Sequence, residues 1–365
     1  MNYNTLHSLQ RMAAMKIALG IFYDSEIEKM LLEERKYPRG CFAVKFNRDR
    51  HELWKLIRIK AAEKLPCLPA LLQTTMFDYI QSFHMEAEDW IRDHKRLLNL
   101  DPLHCRLACK SNFCWKSDGT INRVETAMKI TQNENIDPNT RFILACTYFL
   151  EDEVLAIWYG DKEVSKKSLR RKGTNSAVRF WMKWLRKGSV MPWRLMIDDY
   201  FSVPCFRRLD IPLRFSGFLH YLSPDIRTSY YEHLQKDEFF SCLNGMDEAE
   251  RTKLLQLIPQ SALRHCLKWP FQTLFVKTVI QLESHGTVID FEVIFFKILY
   301  NIISELRDFD YAQLLKELWD LSPSFKEEIE ESRLFSEVMD AILNYDVDSQ
   351  SLPLVEVLDN CIHAR

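Results

Sequence analysis

Residues 138–158 read PNTRFILACTYFLEDEVLAIW, and the spacing of apolar residues in this stretch decides the fold. The apolar positions recur at a helical interval, so the pattern predicts two short helices back to back. Phe142, Ile143, Ala145 and Cys146 face inward on the first helix, and Val154, Leu155, Ile157 and Trp158 on the second. Asp137 is placed to cap the first helix, and Pro138 follows at the position where a missing N–H costs nothing. Glu151, Asp152 and Glu153 gather at the electropositive start of the second helix. The small pair Ala145 and Cys146 lets the two helices approach closely.

Composition extends this reading to the rest of the chain. With only 9 glycines in 365 residues, there is little material for tight β-turns or a phosphate-cradling loop. Hydrophobic residues at 47% and charged residues at 27% are globular values. A net charge of −2 gives the chain as a whole no preference for nucleic acid or an anionic membrane. Most of the 10 cysteines stand alone among apolar neighbours, which reads as free thiols in a reducing compartment. Arg11 and Lys16 interrupt the apolar run at the N-terminus, so no signal peptide is expected, and no stretch reaches a membrane-spanning length. The expected setting is the cytoplasm, or alternatively the nucleus.

Outward from the central pair, Leu6, Leu9, Met12, Ala13, Ile17 and Ile21 recur at helical spacing, and a long helix is expected over 70–98. Further on, Val293, Phe296, Leu299, Tyr300 and Ile303 leave little polar surface on their helix, which is therefore expected to be sandwiched between neighbours. An internal echo links 222–234 with 246–258: a capping residue (Ser223, Asp247), then an Arg-Thr pair (Arg227 with Thr228, Arg251 with Thr252), then apolar residues. Its offset suits a helical repeat. Three consecutive segments are expected: a helical bundle over 1–100, a central helical region over 101–221, and a repeat-like region over 222–365.

Two family resemblances arise from these residues. The stretch from Thr140 to Trp158 resembles a degenerate ankyrin repeat, with Ala145 and Cys146 at the family's paired small residues and Val154 at its inward aliphatic position. The Thr-Pro-Leu-His start and the family's glycines are missing. Chains of this kind resemble the uncharacterised arthropod proteins with eroded ankyrin-like pairs. The fold this implies is all-α, with packed helical hairpins forming an irregular ankyrin-like solenoid. At the N-terminus, Ser8, Leu9, Ala13 and Ile17 resemble the elongin-binding helix of the SOCS-box family, with Ala13 in place of the usual cysteine. That resemblance implies an adaptor of a cullin-type ubiquitin ligase, with elongin and cullin as partners.

The sequence carries few residues in patterns that support catalysis or metal binding. His104, Cys105, Cys109 and Cys114 are of zinc-binding types, but their spacing matches no common ligand pair, and packed cysteines are expected instead. No nucleophile elbow, zinc-protease helix or phosphate loop occurs, so no catalytic residue, metal or cofactor is expected. The most distinctive surface candidate is basic: Lys166, Lys167, Arg170, Arg171, Lys172, Arg179, Lys183, Arg186 and Lys187. On a helix, Phe180, Trp181, Trp184 and Leu185 fall on one face, and Arg179, Lys183, Arg186 and Lys187 largely on another. The sequence therefore points to a non-enzymatic protein-interaction module. The competing class is a nucleic-acid binder using the basic aromatic segment 166–194.

Overall fold

A computed structural model describes residues 9–34, 47–98, 110–160, 176–202, 214–231, 234, 236–345 and 353–363. Among them every regular element is helical, and a single antiparallel bridge joins Trp115 to Ile121. The chain forms two compact units. One is central and, among the described residues, continuous, Met85–Leu254. The other is discontinuous, built from Leu6–His84 together with Leu255–Arg365.

The discontinuous unit opens with α1 (Leu9–Phe22), α2 (Ser25–Glu34), α3 (Arg48–Glu63) and the part of α4 (Ala70–Leu98) up to His84. Asp24 caps α2 by accepting from the Glu26 N–H at 3.0 Å, and Asn47 caps α3 by accepting from Arg50 N–H at 2.9 Å. The rest of the unit is α13 (Pro259–Cys266), α14 (Phe275–Ser284), α15 (Phe291–Ile303), α16 (Tyr311–Leu321), α17 (Pro323–Glu331), α18 (Arg333–Leu343) and α19 (Leu354–His363). Here α15 packs against α13, α16, α17 and α19, which makes it the core helix expected from its sequence. Its covered face is Phe291, Ile294, Phe295, Ile298 and Ile302. Val293 and Phe296, expected inside, lie at the margin, 37% and 36% exposed.

The two parts of this unit are joined by polar side chains that recognise one turn. At the end of α15 the backbone turns through Glu305, whose φ is +54°. Leu306 N–H bonds back to the Asn301 carbonyl at 3.0 Å and Glu305 N–H to Ile302 at 2.9 Å. This is the helix-ending motif that normally uses glycine at its left-handed position. Gln81 of α4 accepts from Arg307 N–H at 2.8 Å and donates to the Glu305 carbonyl at 2.9 Å. Arg50 donates to the Ser304 carbonyl at 3.1 Å, and His51 bonds the Glu305 carboxylate. Arg50 also meets the fully buried Glu34 at 3.0 Å, and Glu34 reaches His84 at 3.0 Å.

The central unit holds the second half of α4, then α5 (Arg123–Thr131), α6 (Pro138–Thr147), α7 (Glu151–Gly160), α8 (Ser176–Arg186), α9 (Ile197–Ser202), α10 (Pro224–Tyr231), α11 (Lys236–Asn244) and α12 (Glu248–Leu257), the last running past its end. Short 3-10 turns span Trp193–Met196 and Phe215–Tyr221. The expected pair is α6 and α7. Asp137 accepts from Thr140 N–H at 2.9 Å, and Phe142 stacks on Trp158 with centroids 5.6 Å apart. Ile143, Leu155 and Trp158 are half-buried, while Leu144 joins the core.

Between the two helices, Phe149 has φ +52°. Leu150 N–H bonds the Ala145 carbonyl at 3.0 Å and Phe149 N–H that of Cys146 at 3.2 Å, the same helix-ending motif. The Phe149 ring then lies 4.9–5.6 Å from those of Phe180, Trp181, Trp193, Tyr200 and Phe218.

The internal echo has a local physical basis. Arg227 donates from Nε to the Leu222 carbonyl at 2.9 Å, and Arg251 from Nη2 to that of Met246 at 3.0 Å. Each arginine braces the carbonyl five residues before it, at the entry to its own helix.

Candidate functional surfaces and buried polar centre

The first candidate is the outward face of α1. Ala14, Met15, Ala18, Ile21 and Phe22 are buried, whereas Leu9 is 81% and Ile17 44% exposed, and Ala13 between them is exposed too. Residues four apart lie one above the other on a helix, so these three form an apolar stripe. Ser8 lies outside the described residues.

The second candidate is the basic segment. Lys166, Lys167, Arg170, Arg171 and Lys172 lie outside the described residues, as do His104, Cys105 and Cys109. Arg179, Lys183, Arg186 and Lys187 are exposed along α8, and Phe180, Trp181, Trp184 and Leu185 are buried. Trp181 is fully buried and donates from its indole to the Cys146 carbonyl at 3.1 Å. The indole N–H of Trp184, also buried, donates to the Met191 carbonyl at 2.6 Å. Neither ring presents a face to a nucleic-acid base.

A third feature was not foreseen from the sequence. A cavity of about 520 Å³ opens where the α6–α7 turn meets the two 3-10 turns. Phe149, Trp193 and Phe218 line its wall. Glu151, Asp152 and Glu153 face it together with Arg194 and Arg214. Among the described residues no histidine, cysteine or serine lines it. Trp193 donates from its indole to Glu151 at 2.8 Å, which fixes one carboxylate against the wall. These residues are far apart in sequence, and nothing in their local spacing signals a shared cavity.

The central unit also holds a buried ionic centre. Arg123 bonds Asp93 at 2.9 Å and Asp237 at 3.1 Å. Burial pushes the Asp93 carboxyl up while the Arg123 guanidinium pulls it down, and burial also raises Glu238. Beside them His94 is fully buried, stacked on Trp90 with centroids 3.7 Å apart. Its Nδ1 lies 2.6 Å from the Trp90 carbonyl, which can only accept, so Nδ1 carries the proton. The neutral ring then accepts at Nε2 from the Tyr148 hydroxyl, 2.8 Å away.

Burial, with the positive charge of Arg123, pushes the His94 pKa down to about 3. The unfolded chain therefore takes up this proton first. The contribution of neutral His94 to stability is intact above about pH 6.5 and is lost as pH falls from there towards its folded value. In a histidine-resolved NMR titration from about pH 8 to 5 the His94 ring should hold its shift; a midpoint near 6.5 would show that the ring is not sealed.

Among the described residues no group of histidine, cysteine and carboxylate side chains is placed to hold a metal ion, and no helix is long and apolar enough to cross a membrane. No family model, curated protein or solved structure matches this chain.

Proposed function

We propose that this chain is a non-enzymatic protein-interaction module that engages its partner through the outward face of α1, with the adaptor of a cullin-type ubiquitin ligase as its specific form and elongin as the partner. The observation that carries the reading is the exposure of Leu9, Ala13 and Ile17 on a helix that is apolar on both sides. A helix apolar all round normally has both faces covered. Here the inward face has its neighbours and the outward face has space for a partner. Stacked helical hairpins, as in an irregular ankyrin-like solenoid, are supported by the order of packing from α13 to α18, where each helix meets the next but one and, α14 with α15 apart, the next as well. The return of α19 onto α15 supplies a cap.

The test is capture of elongin by the purified chain, with Leu9→Ala as the variant. Because Leu9 is 81% exposed, the substitution should change stability by no more than about 0.5 kcal/mol. It should weaken capture at least tenfold, about 1.4 kcal/mol. Failure of the parent chain to retain elongin would end the ligase version of the proposal. A loss of stability of about 2–5 kcal/mol in Leu9→Ala would show a packing residue instead.

A further inference from the structure

The loop that follows α8 combines three properties that do not ordinarily occur together. It is apolar and exposed: Val190 is 88%, Met191 53% and Leu195 73% accessible. Single exposed aliphatics are common on protein surfaces, but three within six residues form a patch. Its backbone is held. After α8 the chain turns through Gly188 and Ser189, with φ of +79° and +55°. Gly188 N–H bonds the Leu185 carbonyl at 3.1 Å and Ser189 N–H that of Trp184 at 3.4 Å. On the far side Trp184 holds the Met191 carbonyl, and Leu195 N–H bonds that of Pro192 at 3.1 Å. The loop is also seated on buried tryptophans at both ends, Trp184 at 4% and Trp193 at 6% exposure.

The patch is cationic on its α8 side, while on the other side Glu151 holds the Trp193 indole and Asp152 and Glu153 face the cavity beside Arg194. Lys183, Arg186 and Lys187 are exposed on the last turns of α8 and just beyond it, and no carboxylate occurs between Ser176 and Met196. Arg186 and Lys187 complement the negative end of the helix dipole. Lys183 lies in the same last turn, so the dipole accounts for the cations but not for the aliphatic tip. The whole-chain charge of −2 conceals this local segregation.

We propose that this tip docks the protein on an anionic lipid surface, Val190, Met191 and Leu195 entering the interfacial layer while Lys183, Arg186 and Lys187 meet the headgroup phosphates and carboxylates. Aliphatic side chains gain from the acyl boundary, and cations gain from the negative surface potential. Nucleic acid would use the cations but leave the tip unused, because Val190, Met191 and Leu195 have no aromatic face on which a base can stack, and Trp181 and Trp184 are inside. An acidic protein would also meet the cations. The exposed aliphatic side chains, however, suit a fluid layer that closes around them, and a protein would need a groove shaped to receive them. The docking is peripheral, and it is independent of the α1 face.

The test is sedimentation of the full chain with vesicles. Binding to mixed phosphatidylcholine–phosphatidylserine vesicles should exceed binding to phosphatidylcholine alone, and should weaken as salt rises. Two double variants divide the contributions: Val190→Asp with Met191→Asp, and Arg186→Glu with Lys187→Glu. Each should lose binding at least tenfold, since a cation near the surface is worth roughly fivefold in affinity and the reversal adds repulsion. All four side chains are exposed, so both variants should melt with the parent. Equal binding to the two vesicle types would overturn the proposal, as would a tip variant that binds like the parent. No sedimentation with vesicles, together with retention of a single-stranded oligonucleotide or of an acidic polypeptide, would assign the cations to that partner and overturn the lipid reading.

Discussion

Replacing Arg123 with methionine should destabilise the central unit by about 3–5 kcal/mol, because Asp93 and Asp237 are left in a buried site without their counter-charge. The sign of the pH dependence distinguishes this from simple loss of packing. In the parent, burial already pushes the Asp93 carboxyl up against the pull of Arg123. Without the guanidinium the carboxyl rises further in the folded state. A group whose folded pKa is raised contributes stability below its unfolded value and loses it as pH rises through the folded one. The deficit of Arg123→Met should therefore be larger at about pH 8 than at about pH 5. Denaturant titrations at the two pH values measure it. A deficit that does not change with pH would mean that Arg123 matters for its bulk. The triple variant with Asp93→Asn and Asp237→Asn should recover part of the loss, since neutral amides are less costly to bury than unpaired carboxylates.

The second large effect is expected at Phe149. Removing its ring, which touches five other aromatic rings, should cost about 3–5 kcal/mol in Phe149→Ala. The informative comparison is with Phe149→Gly. Within an ordinary helix or strand, glycine is worse than alanine by about 0.5–1 kcal/mol. At φ +52° the order should be cancelled or reversed, because a Cβ in the left-handed region costs about 1–2 kcal/mol that glycine does not incur. Equilibrium denaturation of the two variants should place Gly level with or above Ala. A glycine variant about 1 kcal/mol below the alanine one would show that the turn relaxes when the ring is gone.

The helical character of the chain was legible in its sequence, and at α6 and α7 so was the local detail. Asp137 caps as its position ahead of Pro138 requires, and the acidic start of α7 follows from the dipole. The division of α8 into a cationic outer face and an aromatic inner face was also legible, since it follows from helical periodicity alone. What stayed hidden depends on contacts distant in sequence. Nothing near Glu34 shows that Arg50 and His84 will hold its carboxylate in the interior. Helix ends are usually announced by glycine, yet Phe149 and Glu305 occupy left-handed positions without it. In both cases the side chain has its own contacts there, in the aromatic cluster and with His51 respectively. For α1, periodicity predicts apolar faces but not which of them other helices will cover. That is why the exposure of Leu9 and Ile17 required the fold.

The clamp around Glu305 has a consequence for how the polypeptide is made. Gln81, Arg50 and His51 leave the ribosome long before the turn they bind, with the whole of Met85–Leu254 translated in between. Among the described residues the central unit is continuous, so it can close during synthesis, whereas α1 to α3 must wait in an unfinished state until Leu255–Arg365 emerges. During that interval the apolar faces of α1 and α3 have no completed interior to enter. A nascent chain stalled before Leu255 should therefore display these helices to chaperones and proteases, and release of the C-terminal helices should end that exposure.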